Sequence, residues 1–213
     1  MVPPPIVFGG LAVTCLIASE WREWQPGVWL FKPLASASFL WAALAWGARD
    51  STYGRVVFVA LILCAIGDVL LIPRGRGRVF LLGIGSFLLG HLVFAVAFLG
   101  LDVSRAGVAG GAIAVGVVAL LVWRWLRPNL PSDFRTPVLA YLVVIGGMVA
   151  VALGVVFGAG MWAVGVGAVM FAVSDLSVAR RRFIVPRFIE QLWGLPLYFG
   201  AQFLLASTVA VQM

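Results

Sequence analysis

This chain of 213 residues is 63% hydrophobic and only 11% charged, and its mean hydropathy is +1.10. Such values lie far outside those of soluble domains and indicate an integral membrane protein. The polar intervals are too short to hold a soluble domain as well. We therefore expect residues 1–213 to form a single all-α transmembrane helical domain.

Eight segments supply the run of about 20 apolar residues that a membrane-spanning helix needs. They are residues 3–19, 28–46, 56–72, 79–101, 106–123, 137–157, 161–178 and 193–211. The long apolar run from 137 to 178 must break if both of its halves are to span the membrane. We place the break at Gly158-Ala159-Gly160, where glycine on both sides predicts a tight turn. The first segment lacks the basic start of a signal peptide, so we interpret it as a retained helix. The sequence thus predicts a bundle of eight transmembrane helices.

Arginines divide unevenly between the two ends of this bundle. The loops after helices 1, 3, 5 and 7 carry eleven of them: Arg22, Arg74, Arg76, Arg78, Arg124, Arg127, Arg135, Arg180, Arg181, Arg182 and Arg187. The opposite end carries only Arg49, Arg55 and Arg105. Because cytoplasmic loops are enriched in basic residues, the arginine-rich loops are expected in the cytoplasm and both termini outside the cell membrane. The formal charge of +7 therefore reflects topology and attraction to membrane lipid, and we expect no nucleic-acid partner.

Two carboxylates lie inside the predicted spans, and an ionisable group at membrane depth indicates a functional site. Asp68 lies six residues before Arg74, and Asp175 lies five before Arg180, so each is about 8–9 Å inside the same boundary. Four other polar residues of the spans join this set: Lys32, His91, Tyr198 and Gln202. Taken singly, each has a plain structural interpretation, such as a snorkelling lysine or an interfacial tyrosine. Their shared depth favours a common site.

A weak internal repeat relates the two halves of the chain. Asp68 and Asp175 are 107 residues apart, and the same step leads from His91 to Tyr198. Helices 3 and 4 would then correspond to helices 7 and 8 in a parallel four-plus-four repeat. Cys15 and Cys64 each fall within a span without a CxxC partner, and we expect both to be small core residues.

Several short motifs together resemble the YhhN-like lysoplasmalogenase family over nearly the whole chain. They are Phe31-Lys32-Pro33-Leu34, Gly67-Asp68-Val69-Leu70-Leu71, Gly90-His91-Leu92-Val93-Phe94, Val173-Ser174-Asp175 and Tyr198-Phe199-Gly200-Ala201-Gln202. Phe94 departs from the pattern, which leads us to expect an aromatic hydroxyl after the histidine. The resemblance implies a membrane-embedded hydrolase that cleaves the vinyl ether of lysoplasmalogens, with a lysophospholipid as substrate. The products would be a fatty aldehyde and a glycerophospho-alcohol.

The polar residues suit that chemistry. A vinyl ether is hydrolysed by protonation of its β-carbon, and the resulting oxocarbenium ion is captured by water. A carboxyl in an apolar site can stay protonated, while a second, ionised carboxylate stabilises the cation or activates water, as in glycosidases. Asp68 and Asp175 are therefore the predicted acid and base, in either order. His91 and Tyr198 would orient water or the leaving oxygen, and Lys32 would hold an aspartate ionised or bind the phosphate.

Other functions fit the sequence less well. A single histidine without an HExxH motif does not complete a zinc site. No GxSxG motif supports a serine nucleophile at Ser174. We expect Ser174 and Gln202 to contact the substrate only. We expect neither a metal nor another cofactor. A small proton-coupled transporter or a non-catalytic lipid-binding protein remains the alternative, although the ionisable residues of the spans cluster at one end.

The topology yields a first prediction. A reporter fused to the C-terminus should give a signal outside the cytoplasm, because eight spans and the arginine asymmetry place both termini there. Paired enzyme reporters, one active only in the cytoplasm and one only outside it, check this. A C-terminal fusion active only in the cytoplasm would refute the span count or the orientation.

Overall fold

The computed structural model describes residues 3–73, 75 and 77–212, so Arg74 and Arg76 of the predicted arginine-rich loops lie outside the described residues. Within these ranges the protein is helical and contains no strand. Eight helices are long and apolar enough to cross a membrane: α1 Pro4–Trp21, α2 Gln25–Ala45, α3 Thr52–Leu70, α4 Arg78–Leu99, α5 Arg105–Leu126, α6 Ser132–Gly158, α7 Trp162–Phe183 and α8 Ile189–Ser207. The predicted eight-helix membrane bundle is confirmed.

Polar residues at the helix ends explain why several helices exceed the predicted apolar spans. Helix α6 begins at Ser132 rather than at 137, and Asp133 in its first turn suits the positive end of the helix dipole. Helix α7 continues through Arg180, Arg181 and Arg182, whose charges suit its negative end. Between them the predicted turn is present, since Gly160 has a φ of 69°, which glycine adopts without strain.

The packing of the helices follows a twofold pattern. Consecutive helices pack as four hairpins, α1 with α2, α3 with α4, α5 with α6 and α7 with α8. Helix α2 also packs against α3 and α8, just as α6 packs against α7 and α4. The contacts α2–α3 and α2–α8 thus correspond to the contacts α6–α7 and α6–α4, in which each helix is replaced by its counterpart in the other half. The arrangement agrees with a parallel four-plus-four repeat.

Buried apolar residues form two separate clusters. The larger one runs through the centre of the bundle and includes Leu16, Phe39, Phe98, Met148 and Phe171. The smaller one lies near the arginine-rich ends of α4 to α7; we call it the small apolar cluster, and its buried members are Phe80, Leu126, Leu130, Phe134, Val138 and Phe183. A closely packed bundle would join such clusters into one core. Their separation leaves room between them.

The outside of the bundle is apolar, as lipid contact requires. Leu11, Ile113 and Val143 are among many large hydrophobic residues that are more than half exposed. Cys64 is buried as predicted, but the prediction is wrong for Cys15, which is exposed on the outer side of α1. A cysteine's small apolar character is equally compatible with lipid, so hydropathy does not distinguish the two sides.

Helix α5 lies at the periphery and has only two buried residues, Gly111 and Leu126. A Cβ atom added at Gly111 would lie 3.1 Å from Leu153 Cδ1 and 3.2 Å from Ala150 Cα of α6. Adjacent Gly110 has no atom within 4 Å of the same position. The absence of a side chain at Gly111 therefore lets α5 and α6 approach closely, as small residues do in membrane helix pairs.

We predict that Gly111→Leu destabilises the protein by about 1–3 kcal/mol, because the new side chain overpacks the α5–α6 contact. Gly110→Leu is the matched control, since it adds the same side chain on the exposed side of the same turn. Thermal unfolding in detergent measures both. Equal unfolding temperatures for the two variants would contradict the close packing at Gly111.

Candidate active site

A cavity of about 570 Å³ opens between the two apolar clusters, and residues from all eight helices line it. At one end it is bordered by the connections after α1, α3 and α7, including Glu23, Gly75 and Arg187. We call this end the mouth. Asp68, Asp175, Lys32, Tyr198 and Ser174 all line the cavity. The structure thus brings five of the seven predicted site residues to one space that borders the arginine-rich loops.

Asp68 lies in the last turn of α3 and is almost completely buried, with an exposure of 2%. Its Oδ2 accepts hydrogen bonds of 2.7 Å from Ser36 Oγ of α2 and from the Tyr198 hydroxyl of α8. Its Oδ1 lies 3.5 Å from Lys32 Nζ. Lys32 therefore turns inward to an ion pair rather than snorkelling to the interface. Two hydroxyl donors and the ammonium group of Lys32 suit an ionised carboxylate.

Asp175 has a different environment on the opposite wall, near the middle of α7. Its Oδ2 accepts a hydrogen bond of 2.6 Å from the Tyr141 hydroxyl of α6 and lies 3.6 Å from His91 Nε2 of α4. Its side chain is 18% exposed, whereas that of His91 is 0% exposed. No ammonium or guanidinium group forms an ion pair with Asp175 among the described residues. This carboxyl group is thus less well supplied with donors than Asp68.

The contacts of His91 restrict where its protons lie. Its Nδ1 is 2.6 Å from the carbonyl oxygen of Phe87, which can only accept, so Nδ1 carries a hydrogen. Nε2 makes no hydrogen bond to the described residues and faces Asp175. Two unprotonated acceptors would repel each other there, so we expect one of the two groups to carry a proton, although their separation of 3.6 Å is too long for a hydrogen bond. Because His91 is buried, a neutral imidazole beside a protonated Asp175 has a lower desolvation cost than an imidazolium beside an ionised Asp175.

Two of the predicted residues lie behind the cavity wall. His91 reaches the site only through Asp175, and it packs against Phe171 and Tyr141 with ring centroids 4.3 Å and 5.3 Å away. Gln202 is 0% exposed, and neither of its amide atoms has a hydrogen-bond partner among the described residues. Ser174 does line the cavity, but its hydroxyl donates to the Phe171 carbonyl oxygen of its own helix.

Tyr141 and Ser36 are site residues that the sequence interpretation missed. Phe94 is buried against Phe98 and Phe171 and provides no hydroxyl, and Tyr141 of α6 provides one beside His91 instead. Ser36 lies one turn beyond Lys32 on the same face of α2. Tyr141 could have been found from its depth, since it lies in the half of α6 that is nearer the arginine-rich loops, and Asp175 lies in the corresponding half of α7.

Charged side chains from several helices surround the mouth. Glu20 at the end of α1 accepts hydrogen bonds from Arg181 of α7 at 3.1 Å and from Gln191 of α8 at 2.8 Å. Arg182 donates to the carbonyl oxygens of Leu71 and Gly75 after α3, at 2.7 Å and 2.9 Å. These contacts hold the ends of α1, α3, α7 and α8 in position around the cavity. No group of three or more His, Cys, Asp or Glu side chains suited to a metal ion occurs in the described part of the chain.

Comparison with known proteins identifies the family. The model of the YhhN family matches residues 27–209 of this chain, which include Asp68, Asp175 and the residues that contact them. The chain belongs to the YhhN family. No solved structure matches it.

Curated relatives of the family carry informative names. The chain is 40% identical over 157 residues to a lysoplasmalogenase of Mycobacterium bovis, a match that covers 71% of this chain and 59% of the relative. It is 33% identical over 156 residues to the bovine lysoplasmalogenase TMEM86A, covering 70% and 63% of the two chains. A match to rat lysoplasmalogenase TMEM86B is 28% identical and covers 95% and 80%. The aligned region thus spans about three fifths of the first two relatives.

The unequal surroundings of the two carboxyl groups can be tested directly. At neutral pH the infrared spectrum should contain the carbonyl stretch of a protonated carboxyl group. Asp175→Asn should remove this band, because we expect Asp175 to be the protonated group of its pair with His91, whereas Asp68→Asn should leave it. A band that disappears only in Asp68→Asn would reverse the assignment, and its absence from the wild type would refute a protonated Asp175.

Proposed function

We propose that this protein hydrolyses the vinyl-ether bond of lysoplasmalogen-type lysophospholipids, releasing a fatty aldehyde and a glycerophospho-alcohol. The observation that carries the proposal is the pair of carboxyl groups, Asp68 and Asp175, on the walls of one cavity within a membrane bundle. The names of the curated YhhN-family relatives support the same activity. The proposed hydrolysis needs an acid and an anion that act on one bond, and the two carboxyl groups can supply them.

In the proposed reaction Asp175 is the general acid. Its carboxyl proton moves to the β-carbon of the vinyl ether, and the electron pair of the double bond forms the new C–H bond. The adjacent carbon then shares positive charge with the ether oxygen. Asp68, ionised and held by Lys32, Ser36 and Tyr198, stabilises this cation electrostatically.

Water completes the reaction. It adds to the cationic carbon while a carboxylate accepts one of its protons, which gives a hemiacetal and restores the charge balance of the pair. The hemiacetal then collapses: its hydroxyl proton is removed, the bond to the glyceryl oxygen breaks, and that oxygen receives a proton. One water is consumed, and no oxidant or reductant is needed. Tyr141 and His91 position Asp175 and its proton, so we interpret them as positioning residues.

We also propose that the mouth faces the cytoplasm, since the arginine-rich loops border it. Lys32 and Arg181 both line the cavity and would attract the lipid phosphate. A lysophospholipid could then enter with its head near the membrane surface. The ether bond would lie deeper, near Asp68 and Asp175.

We predict that Asp68→Asn and Asp175→Asn each reduce aldehyde release by at least about 100-fold, the range of a general acid–base contribution. Asparagine keeps the size of the side chain, so the loss should come from chemistry. Asp50→Asn is the matched control, because Asp50 is an exposed carboxylate in the connection between α2 and α3. The measurement uses purified protein with a lysolipid vinyl ether and detects the aldehyde by mass spectrometry.

Isotope labelling tests the same step independently. In D₂O the wild-type rate should fall severalfold, and the aldehyde, reduced at once to its alcohol, should carry one deuterium at the carbon next to the former carbonyl. Full activity in the Asp68→Asn, Asp175→Asn double variant would refute the two-carboxylate mechanism. Failure of the wild type to release aldehyde from any vinyl-ether lysolipid would refute the proposed activity.

A further inference from the structure

The walls of the cavity differ in polarity. Helices α4, α5 and α6 contribute nine lining residues, of which only Tyr141 is polar. The opposite wall, from α1, α2 and the facing ends of α7 and α8, contributes charged and amide side chains such as Glu20, Lys32, Arg181 and Gln191. The cavity is therefore amphipathic across its width, which a site for a wholly polar substrate would not require.

The apolar wall coincides with the small apolar cluster and its surroundings. Six of its residues form what we call the hydrocarbon arm: Phe80, Ile84, Val122, Leu126, Val138 and Leu142. Val122 is the contribution of peripheral helix α5, which has few buried residues. The arm thus lies among the ends of α4, α5 and α6 that are nearest the arginine-rich loops, and it includes a residue of the peripheral helix.

We propose that the hydrocarbon arm receives the single chain of the lipid and sets the chain length that the protein accepts, while the polar head lies against Glu20, Arg181 and Gln191. The inference rests on the proposed function for the class of ligand, a single-chain ether lysophospholipid. The opposite orientation would place the chain against charged groups and leave the apolar wall in contact with a phosphate, at a high desolvation cost.

This orientation agrees with the chemistry assigned to the two carboxyl groups. Asp175 contacts Tyr141 of α6 and faces His91 of α4, so it lies on the side of the arm. Asp68 contacts Lys32 of α2 and Tyr198 of α8, so it lies on the side of the polar head. In a vinyl ether the β-carbon belongs to the hydrocarbon chain and the oxygen to the head. The acid thus lies beside the carbon that receives the proton.

Binding of ether lysophosphocholines that differ only in chain length tests the arm. The octyl and hexadecyl compounds lack the double bond, so their binding does not depend on hydrolysis. Val122→Trp and Leu142→Trp should fill part of the arm. Each methylene kept out of water contributes about fourfold in affinity, so exclusion of two should weaken hexadecyl binding by about 15-fold and leave octyl binding nearly unchanged.

Matched controls add the same tryptophan on the lipid-facing side. Leu121→Trp in α5 and Val143→Trp in α6 should bind both compounds like the wild type, since these positions are 61% and 67% exposed. Leu142→Ala, which enlarges the arm, should favour longer chains and does not depend on accommodating a larger side chain. Calorimetry in detergent measures binding, and thermal unfolding identifies any variant that has lost its fold.

Three outcomes would overturn the inference: equal losses for octyl and hexadecyl compounds, no loss in either arm variant, or no binding of either compound by the wild type. Failure of the proposed activity has a different signature. The wild type would then bind the hexadecyl compound with the expected dependence on Val122 and Leu142 but release no aldehyde from vinyl-ether lipids.

Discussion

The structure depends on the need to solvate two carboxyl groups within an apolar bundle. Lipid and hydrocarbon side chains cannot hydrogen-bond an aspartate, so the protein must bring donors from other helices. Asp68 draws on α2 and α8, and Asp175 draws on α6 and α4. Six of the eight helices are thereby held around one space, and these polar contacts constrain their relative rotations.

The cavity follows from the same constraint. Apolar side chains pack on both sides of the two carboxyl groups but do not fill the space beside them. The buried residues of the two apolar clusters therefore remain separate. At the mouth, Arg182 binds backbone carbonyls after α3 and Arg181 binds Glu20 of α1. Both arginines project from the last turn of α7 and so hold open an end that apolar side chains would otherwise close.

The sequence was sufficient to predict the helices and the meeting of five candidate site residues at one cavity, because both depend on position along the membrane normal. Apolar length gives the spans, and distance from the arginines gives the depth of Asp68 and Asp175. Helix rotation was not predictable, since these helices are apolar on nearly every side and lack a distinct inner face. Hence Cys15 was misplaced, and His91 and Gln202, which match the depth of the site, lie behind the cavity wall.

The twofold pattern has a consequence for how such a site could arise. If the two halves descend from one duplicated four-helix unit, the ancestral carboxyl groups had identical surroundings and no reason to differ in charge. Lys32 beside Asp68 and Tyr141 beside Asp175 come from the corresponding helices α2 and α6. Lys32 and Tyr141 are not equivalent positions, since the 107-residue step leads from Lys32 to Leu139. Divergence along these two corresponding helices would give one half an anion and leave the other half with a transferable proton. Duplication would then supply the pair of carboxyl groups, and the local loss of symmetry would supply the proposed division of roles.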